Sequence, residues 1–406
     1  MKVTASWRRG LGWSGALILM LFGIASAVSP TSNASQTKTD SWHQKMRAIE
    51  LTFQELLIDL SSSERFNNPK NFKKIEKNAE KFSKFAHELT SNDTSSPDAD
   101  PSIQLIASQF AQEANHAYKT LTWGHRAYAR SLLKSMTGYC IACHTRSKGS
   151  SFQNMPLSPA LQSLNSLEKG DFFASTRQFD RALEEYEKII GNAGSADRRP
   201  FDWEKAVRSG LAISIRVKND PDRALSIVEQ VLKTPQAPYY FKEQATQWLA
   251  SLKSWKAEPS AKANTEKGHY VLAVRLLADA KSLQKYPADR SADVLYLRAS
   301  SAVHDLMSFA PNGSHSTEAL YMAGLCYEVL HDLNLWDIHE YYYLACIGKS
   351  PHTSQARECF KHYEQSVYLG FTGSNGVHLP TEIRAKLNQL NQLSSPLKEI
   401  EKAPLQ

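Results

Sequence analysis

The sequence predicts an all-α protein, with four long helices in its first third and a longer series of helices behind them. In four successive stretches, apolar residues recur in steps of three and four, which is the spacing of one helix face. Beyond residue 161 the pattern is again helical and weakly repetitive, with small and aromatic residues returning at the spacing of paired helices. A hydrophobic content of 42% is enough to fill the cores of two domains.

The first two helices are predicted from Trp42 to Leu60 and from Phe72 to Leu89. In both, apolar residues follow one another in alternating steps of three and four, and Met46 belongs to the apolar face of the first. Ser, Asn and Pro residues between the two stretches predict a turn. Residues 28–40, rich in Ser, Thr, Asn and Gln, are predicted to form a flexible leader.

The third and fourth helices are predicted from Ile103 to Leu121 and from Ala129 to Cys143. A stretch rich in Ser, Asp and Pro precedes the third helix and is predicted to be a loop. Four helices with short joins predict an antiparallel four-helix bundle over residues 41–150. The composition then changes to Gly, Ser and Pro, which predicts a linker at residues 151–160.

The fourth helix ends in Cys140-Ile141-Ala142-Cys143-His144, which has the C-x-x-C-H spacing that attaches a c-type haem. The two thiols can each bond a haem vinyl group, and the imidazole can then bind the iron. The motif predicts one covalent haem c held by Cys140, Cys143 and His144. A Cys140–Cys143 disulfide and half of a zinc site are the alternatives, but no second C-x-x-C is present and the motif ends a helix.

The N-terminus predicts export from the cytoplasm. Basic residues precede an apolar run from Leu11 to Ile24, and Ala25-Ser26-Ala27 supplies the small residues that a signal peptidase accepts. We therefore expect residues 1–27 to be a signal peptide and the protein to be periplasmic or outside the cell. The run is short for a membrane span, so an uncleaved anchor is the alternative, and no membrane span is expected in the mature chain.

Residues 41–150 resemble the class II cytochromes c, the cytochrome c-prime type and its low-spin relatives, which are four-helix bundles with C-x-x-C-H near the C-terminus. The resemblance implies that the first helix supplies the residue over the open face of the haem, where low-spin members have Met. Met46 matches that position by order and by its place on the apolar face, and His43 is the alternative. The aromatic residue and Arg that follow the haem His in the family are Ser147 and Lys148 here.

The stretch from residue 161 to residue 393 resembles the tetratricopeptide superfamily of paired helices. The residues that match its pattern of small and aromatic positions are Gly170, Phe173, Phe179, Ala182 and Tyr186. The resemblance implies a helical-repeat scaffold for protein partners, and a generic α-helical domain is the alternative. Residues 394–406 are predicted to be a tail.

The remaining cysteines lie in this second part. Cys346 and Cys359 flank a turn between two predicted helices, and in an oxidising compartment this arrangement favours a disulfide. Cys326 lies in an apolar helix and is expected to be a buried thiol. The glycine-rich stretch from Gly370 to Pro380 lacks the P-loop lysine, so we expect a structural loop or a loop that covers the haem edge.

Two functions from different classes follow from these expectations. The first is electron transfer to a redox partner protein, with His144 and Met46 as the two iron ligands. The second is binding or sensing of a diatomic gas at a five-coordinate iron. An enzyme is not expected, because no acid–base set lies beside the motif in sequence. The formal net charge of +7 is dispersed, so nucleic acid is not an expected partner.

Overall fold

The computed structural model describes residues 31–60, 63–91, 100–145, 162, 164–258, 264–330, 338–374 and 376–397. Within these ranges the chain is predominantly helical, as predicted. The described strands are β1, Thr372–Gly373, and β2, Gly376–Val377, which form one antiparallel pair with Thr372 opposite Val377. The predicted signal peptide, the predicted linker and the last nine residues of the predicted tail lie outside the described residues.

In the first part of the chain, the described residues form four long helices, as expected, and one short helix. They are α1 Thr31–Leu60, α2 Ser63–Asn67, α3 Phe72–Glu88, α4 Pro101–Thr122 and α5 Arg126–His144. The short α2 and a 3-10 turn occupy the predicted turn between the first two long helices. The helix α1 begins at Thr31, within the stretch predicted to be a flexible leader. Its composition is polar, but no Pro or Gly interrupts it after Pro30.

The four long helices close around one apolar core. Helix α1 packs on α3, α3 on α4, α4 on α5, and α5 on α1. Each helix contributes one ring to a continuous aromatic series. The ring centroids of Phe53 and Phe82 are 5.3 Å apart, those of Phe82 and Phe110 are 5.5 Å apart, and those of Phe110 and Tyr139 are 5.9 Å apart. These spacings are the ones that aromatic pairs prefer, so the series ties the four helices together.

The later helices pack mainly as consecutive pairs. They are α6 Ser166–Ser175, α7 Phe179–Ile190, α8 Ala193–Arg198, α9 Pro200–Ala212, α10 Pro221–Lys233, α11 Tyr239–Ala257, α12 Glu266–Leu283, α13 Asp293–Phe309, α14 Ser316–Val329, α15 Ile338–Lys349, α16 Ser354–Gly370 and α17 Thr381–Ser394. A π-helical turn, Ile213–Val217, follows α9. Helix α6 packs on α7, α10 on α11, α12 on α13, and α14 on α15. Helix α15 also packs on α16, so it contacts the helices on both sides of it in the chain.

Two of these pairs approach closely where a glycine meets a tyrosine ring. A Cβ atom on Gly170 of α6 would lie 2.5 Å from Cε1 of Tyr186 on α7. A Cβ atom on Gly324 of α14 would likewise overlap the ring of Tyr343 on α15. The Tyr186 hydroxyl also donates a hydrogen bond of 2.8 Å to Asp171. The small and aromatic positions predicted from the sequence therefore meet in space at Gly170 and Tyr186.

The later helices also contact the first four. Lys134 of α5 and Glu168 of α6 form an ion pair of 2.8 Å. The Tyr342 hydroxyl of α15 also donates a hydrogen bond of 2.8 Å to Asp100, which precedes α4. The end of α6 reaches the C-terminal end of α5, where the C-x-x-C-H motif lies, because the carbonyl oxygen of Ser175 contacts the His144 ring.

The structure confirms the two expectations about the later cysteines. Cys346 of α15 and Cys359 of α16 form a disulfide with a Cα–Cα distance of 6.3 Å. Cys326 is completely buried in α14 and is not in a disulfide. Among the helices that the structure describes, none combines the length and the apolar character needed to cross a membrane.

Candidate functional site

A cleft opens beside the C-terminal end of α5. It contains about 700 Å³ free of protein atoms, a volume that includes the open space at its mouth. Helices α1, α4, α5 and α6 supply its walls, together with Leu89 just after α3. Most of the lining is apolar, and Phe53, Phe110 and Phe172 are among its larger side chains.

The structure brings the four residues of the predicted site to this cleft. Cys140, Cys143 and His144 line it from the last turns of α5, and Met46 lines it from α1. Met46 is half-buried, which suits a side chain on the wall of an open cleft. The alternative ligand His43 is exposed and is not part of the lining. Only the Met46 position on α1 therefore agrees with both the sequence order and the geometry.

The two thiols of the motif are half-buried and are not joined in a disulfide. Burial raises the pKa of the Cys140 thiol to about 12, and the neighbouring Cys143 adds to the effect. Cys140 is therefore a neutral thiol at pH 7. Among the residues that the structure describes, no three His, Cys, Asp or Glu side chains form a group that could hold a metal ion by themselves.

The imidazole of His144 is oriented by the end of α6. Its Nδ1 lies against the carbonyl oxygen of Ser175, and because a carbonyl can only accept, Nδ1 carries the proton and donates. Burial is the main cause that lowers the pKa of His144 to about 3, and the charge of Arg177 contributes. A neutral ring with a proton on Nδ1 keeps its lone pair on Nε2, the nitrogen that can bind a metal.

The way in which α6 ends makes that carbonyl available. The last carbonyls of a helix lack partners within the helix. After α6 the chain turns back through Arg177, whose φ of 58° is in the left-handed region. The first three backbone N–H groups after the helix donate hydrogen bonds to carbonyls in its last turn. The Ser175 carbonyl is the last of the helix and accepts the hydrogen bond from His144.

Sequence reasoning missed several residues of the cleft. Phe172, Ser175 and Thr176 come from α6 and the turn after it, and nothing in the local pattern links them to the C-x-x-C-H motif. Glu50 also lines the cleft, one helical turn after Met46 on α1. The sequence could have indicated Glu50, because this acidic residue interrupts the apolar helix face on which Met46, Ile49 and Phe53 lie.

No protein-family model, no curated protein and no solved structure matches this chain. The proposals below therefore rest on the C-x-x-C-H motif and on the geometry of the cleft.

Proposed function

We propose that the protein is a c-type cytochrome that transfers electrons through one covalently bound haem c. The observation that carries this proposal is the shared cleft of Cys140, Cys143, His144 and Met46. Apolar walls suit the flat face of a porphyrin, and the thiols and imidazole lie at the end of one helix, as the motif requires. When bound, the haem supplies one-electron exchange at its iron.

The residues of α5 hold and orient the group. Cys140 and Cys143 would form the thioether bonds, and His144 would bind the iron through Nε2. The hydrogen bond from Nδ1 to the Ser175 carbonyl fixes the ring and increases its basicity, as such partners do for metal-binding histidines. Because Ser175 belongs to α6, the helices beyond the linker take part in the site.

Met46 provides the ligand from the other side of the cleft. A thioether is a soft ligand that pairs with imidazole and raises the reduction potential of a haem. With His144 and Met46 both as ligands, the site would change little between oxidation states, which would suit fast electron transfer. If Met46 is only a packing residue, the iron is five-coordinate and gas binding is the second candidate function.

The proposal extends to the architecture. We propose that residues 41–150 form a haem-binding four-helix bundle of the class II cytochrome c type. Residues 161–393 then form a tetratricopeptide-like scaffold that recruits the redox partner protein. The ring of helix contacts around the aromatic series supports the first part, and the pairs of helices joined at Gly170 and Gly324 support the second. The Cys346–Cys359 disulfide is in keeping with a periplasmic location.

Substitution of Met46 by Leu tests the proposed ligand. The two side chains have similar volumes, so the fold should persist while the sixth ligand is lost. We expect the reduced parent protein to have a low-spin spectrum that carbon monoxide does not change. The Met46→Leu variant should bind carbon monoxide rapidly, as followed by the shift of the main haem absorption band.

The exposed His43 on the same helix provides the control. His43→Leu should leave the spectrum and the lack of carbon monoxide binding unchanged. If the parent protein binds carbon monoxide as readily as Met46→Leu does, Met46 is not a ligand and the gas-binding function replaces electron transfer.

A further inference from the structure

Glu50 is an acidic residue in an otherwise largely apolar cleft. Its side chain lines the cleft from α1, and the residue is only 9% exposed. One carboxyl oxygen, Oε1, accepts a hydrogen bond of 3.4 Å from Gln54. The other, Oε2, is buried and has no hydrogen-bond partner among the residues that the structure describes.

A buried carboxyl oxygen without a partner is costly, because it has lost water and gained nothing in return. Burial also raises the pKa of Glu50, against the opposing effect of the nearby Arg47 charge. Proteins keep such groups where they serve a function, since an apolar residue would pack the same space more stably. The position of Glu50 on the cleft wall indicates that a bound group satisfies Oε2.

We propose that Glu50 is a hydrogen-bonding residue of the cleft, and that its Oε2 forms an O–H···O hydrogen bond with an oxygen atom of the bound group. This inference rests on the proposed binding of haem. An oxygen partner suits a carboxyl group, because a strong hydrogen bond forms whichever of the two oxygens carries the proton.

The bound group can offer such an oxygen in two places. The haem has two carboxylate side chains at its edge, and a diatomic ligand places an oxygen above the ring when the sixth position is open. Glu50 lies one turn from Met46 on the same helix, so it faces the same cavity. The chemistry is the same in both cases, and spectroscopy can separate them.

The test uses full-length, haem-loaded protein in the Met46→Leu background, with carbon monoxide as the probe. Glu50→Leu removes the hydrogen bond, and Glu50→Gln keeps the shape of the side chain and offers amide N–H donors in place of the carboxyl group. Thr52→Val is the matched control, because Thr52 is buried on the same helix, bonds the Ala48 carbonyl at 2.8 Å and is not part of the cleft lining. Infrared spectra report the C–O stretch, and resonance Raman spectra report the bending mode of the haem carboxylates.

A hydrogen bond to the ligand oxygen predicts that the C–O stretch moves to higher wavenumber in Glu50→Leu, and by less in Glu50→Gln. A hydrogen bond to a haem carboxylate predicts that the carboxylate mode shifts and the C–O stretch does not. Thr52→Val should change neither. If both modes are the same in all the variants, Glu50 bonds no oxygen of the bound group and the inference is wrong.

The proposed function can fail separately from this inference. Carbon monoxide binding by the parent protein overturns Met46 as ligand, but it does not affect the comparison of Glu50 variants, which all carry Met46→Leu. A parent protein that retains no haem after denaturation overturns both, because the bound group is then absent.

Discussion

His144 illustrates how the site depends on single contacts. The C-x-x-C-H motif places the His144 side chain at the end of α5. The Ser175 carbonyl determines which nitrogen of the imidazole carries the proton. The C-x-x-C-H spacing therefore predicted Cys140, Cys143 and His144, because a covalent motif is local, and the resemblance to the class II cytochromes c implied Met46 on the apolar face of the first helix. The sequence could not predict Ser175, whose contact with His144 depends on the packing of α6 against α5.

A second residue-scale feature predicts a dependence of stability on pH. The carboxylate of Glu258 accepts hydrogen bonds of 3.0 and 2.7 Å from Arg298, and Arg275 lies at 3.2 Å. These arginines hold the pKa of Glu258 below its usual value of 4.5. A lowered pKa in the folded state stabilises the protein above the unfolded pKa, and this stability is lost as the pH falls through the folded pKa.

We expect Glu258→Gln to lower the urea midpoint at pH 7. The difference in urea midpoint between parent and variant should decrease as the pH is lowered below 4.5, because the Glu258 carboxylate of the parent then becomes protonated and loses its charge. Glu229→Gln is the control, since Glu229 is half-exposed and its nearest cation, Lys233, is 3.9 Å away. If the difference in urea midpoint between the parent and Glu258→Gln stays constant from pH 7 to pH 3, this account is contradicted.

At the scale of elements, the sequence predicted the four long helices better than it predicted their neighbours. Strong apolar periodicity located α1, α3, α4 and α5, because each has one buried and one exposed face. Helix α15 was predicted only as the helix before the turn between Cys346 and Cys359, without bounds, since it contacts α4, α14 and α16 and its run of three tyrosines shows no such alternation. A helix buried on several sides lacks the pattern from which helices are predicted.

The close approach of α6 and α7 gives a prediction at this scale. In Gly170→Ala the new Cβ would overlap the buried ring of Tyr186, so the two helices must separate or the ring must move. We expect the free energy of unfolding to fall by about 1–3 kcal/mol, the usual cost of overpacking. Urea unfolding followed by circular dichroism measures the change.

Gly348→Ala is the matched control within a helix. A Cβ atom at Gly348 would meet no atom of the described part of the chain within 4 Å, so the greater helix propensity of Ala should leave stability unchanged or raise it by up to about 1 kcal/mol. If Gly170→Ala and Gly348→Ala change the free energy of unfolding equally, Gly170 does not determine the distance between α6 and α7.

At the scale of the whole molecule, α4 and α5 contact the later helices on two sides. Tyr342 bonds Asp100 beside α4, and Ser175 of α6 bonds His144 at the end of α5. The change of composition in the sequence predicted two successive parts of the chain. The sequence could not predict the contacts between these parts, because such contacts join residues far apart in the chain and show no local periodicity.

The disulfide between α15 and α16 gives a prediction for the stability of the later helices. It closes a loop between residues 13 positions apart, and replacing both Cys346 and Cys359 by Ala should cost roughly 3 kcal/mol in the chain-entropy model. Urea unfolding with and without reductant measures the loss. The parent should become less stable in reductant and the double variant should not; a parent that is insensitive to reductant would contradict the prediction.

Retention of haem after denaturation tests the central claim most directly. The full chain, made with a cytochrome c maturation system, should keep its haem on the polypeptide through denaturing electrophoresis, and intact mass should rise by one haem. The variant with both Cys140→Ala and Cys143→Ala should lose the haem stain, whereas Cys326→Ala should retain it. A parent chain that loses all haem under denaturing conditions, or a double variant that keeps it, would contradict the account.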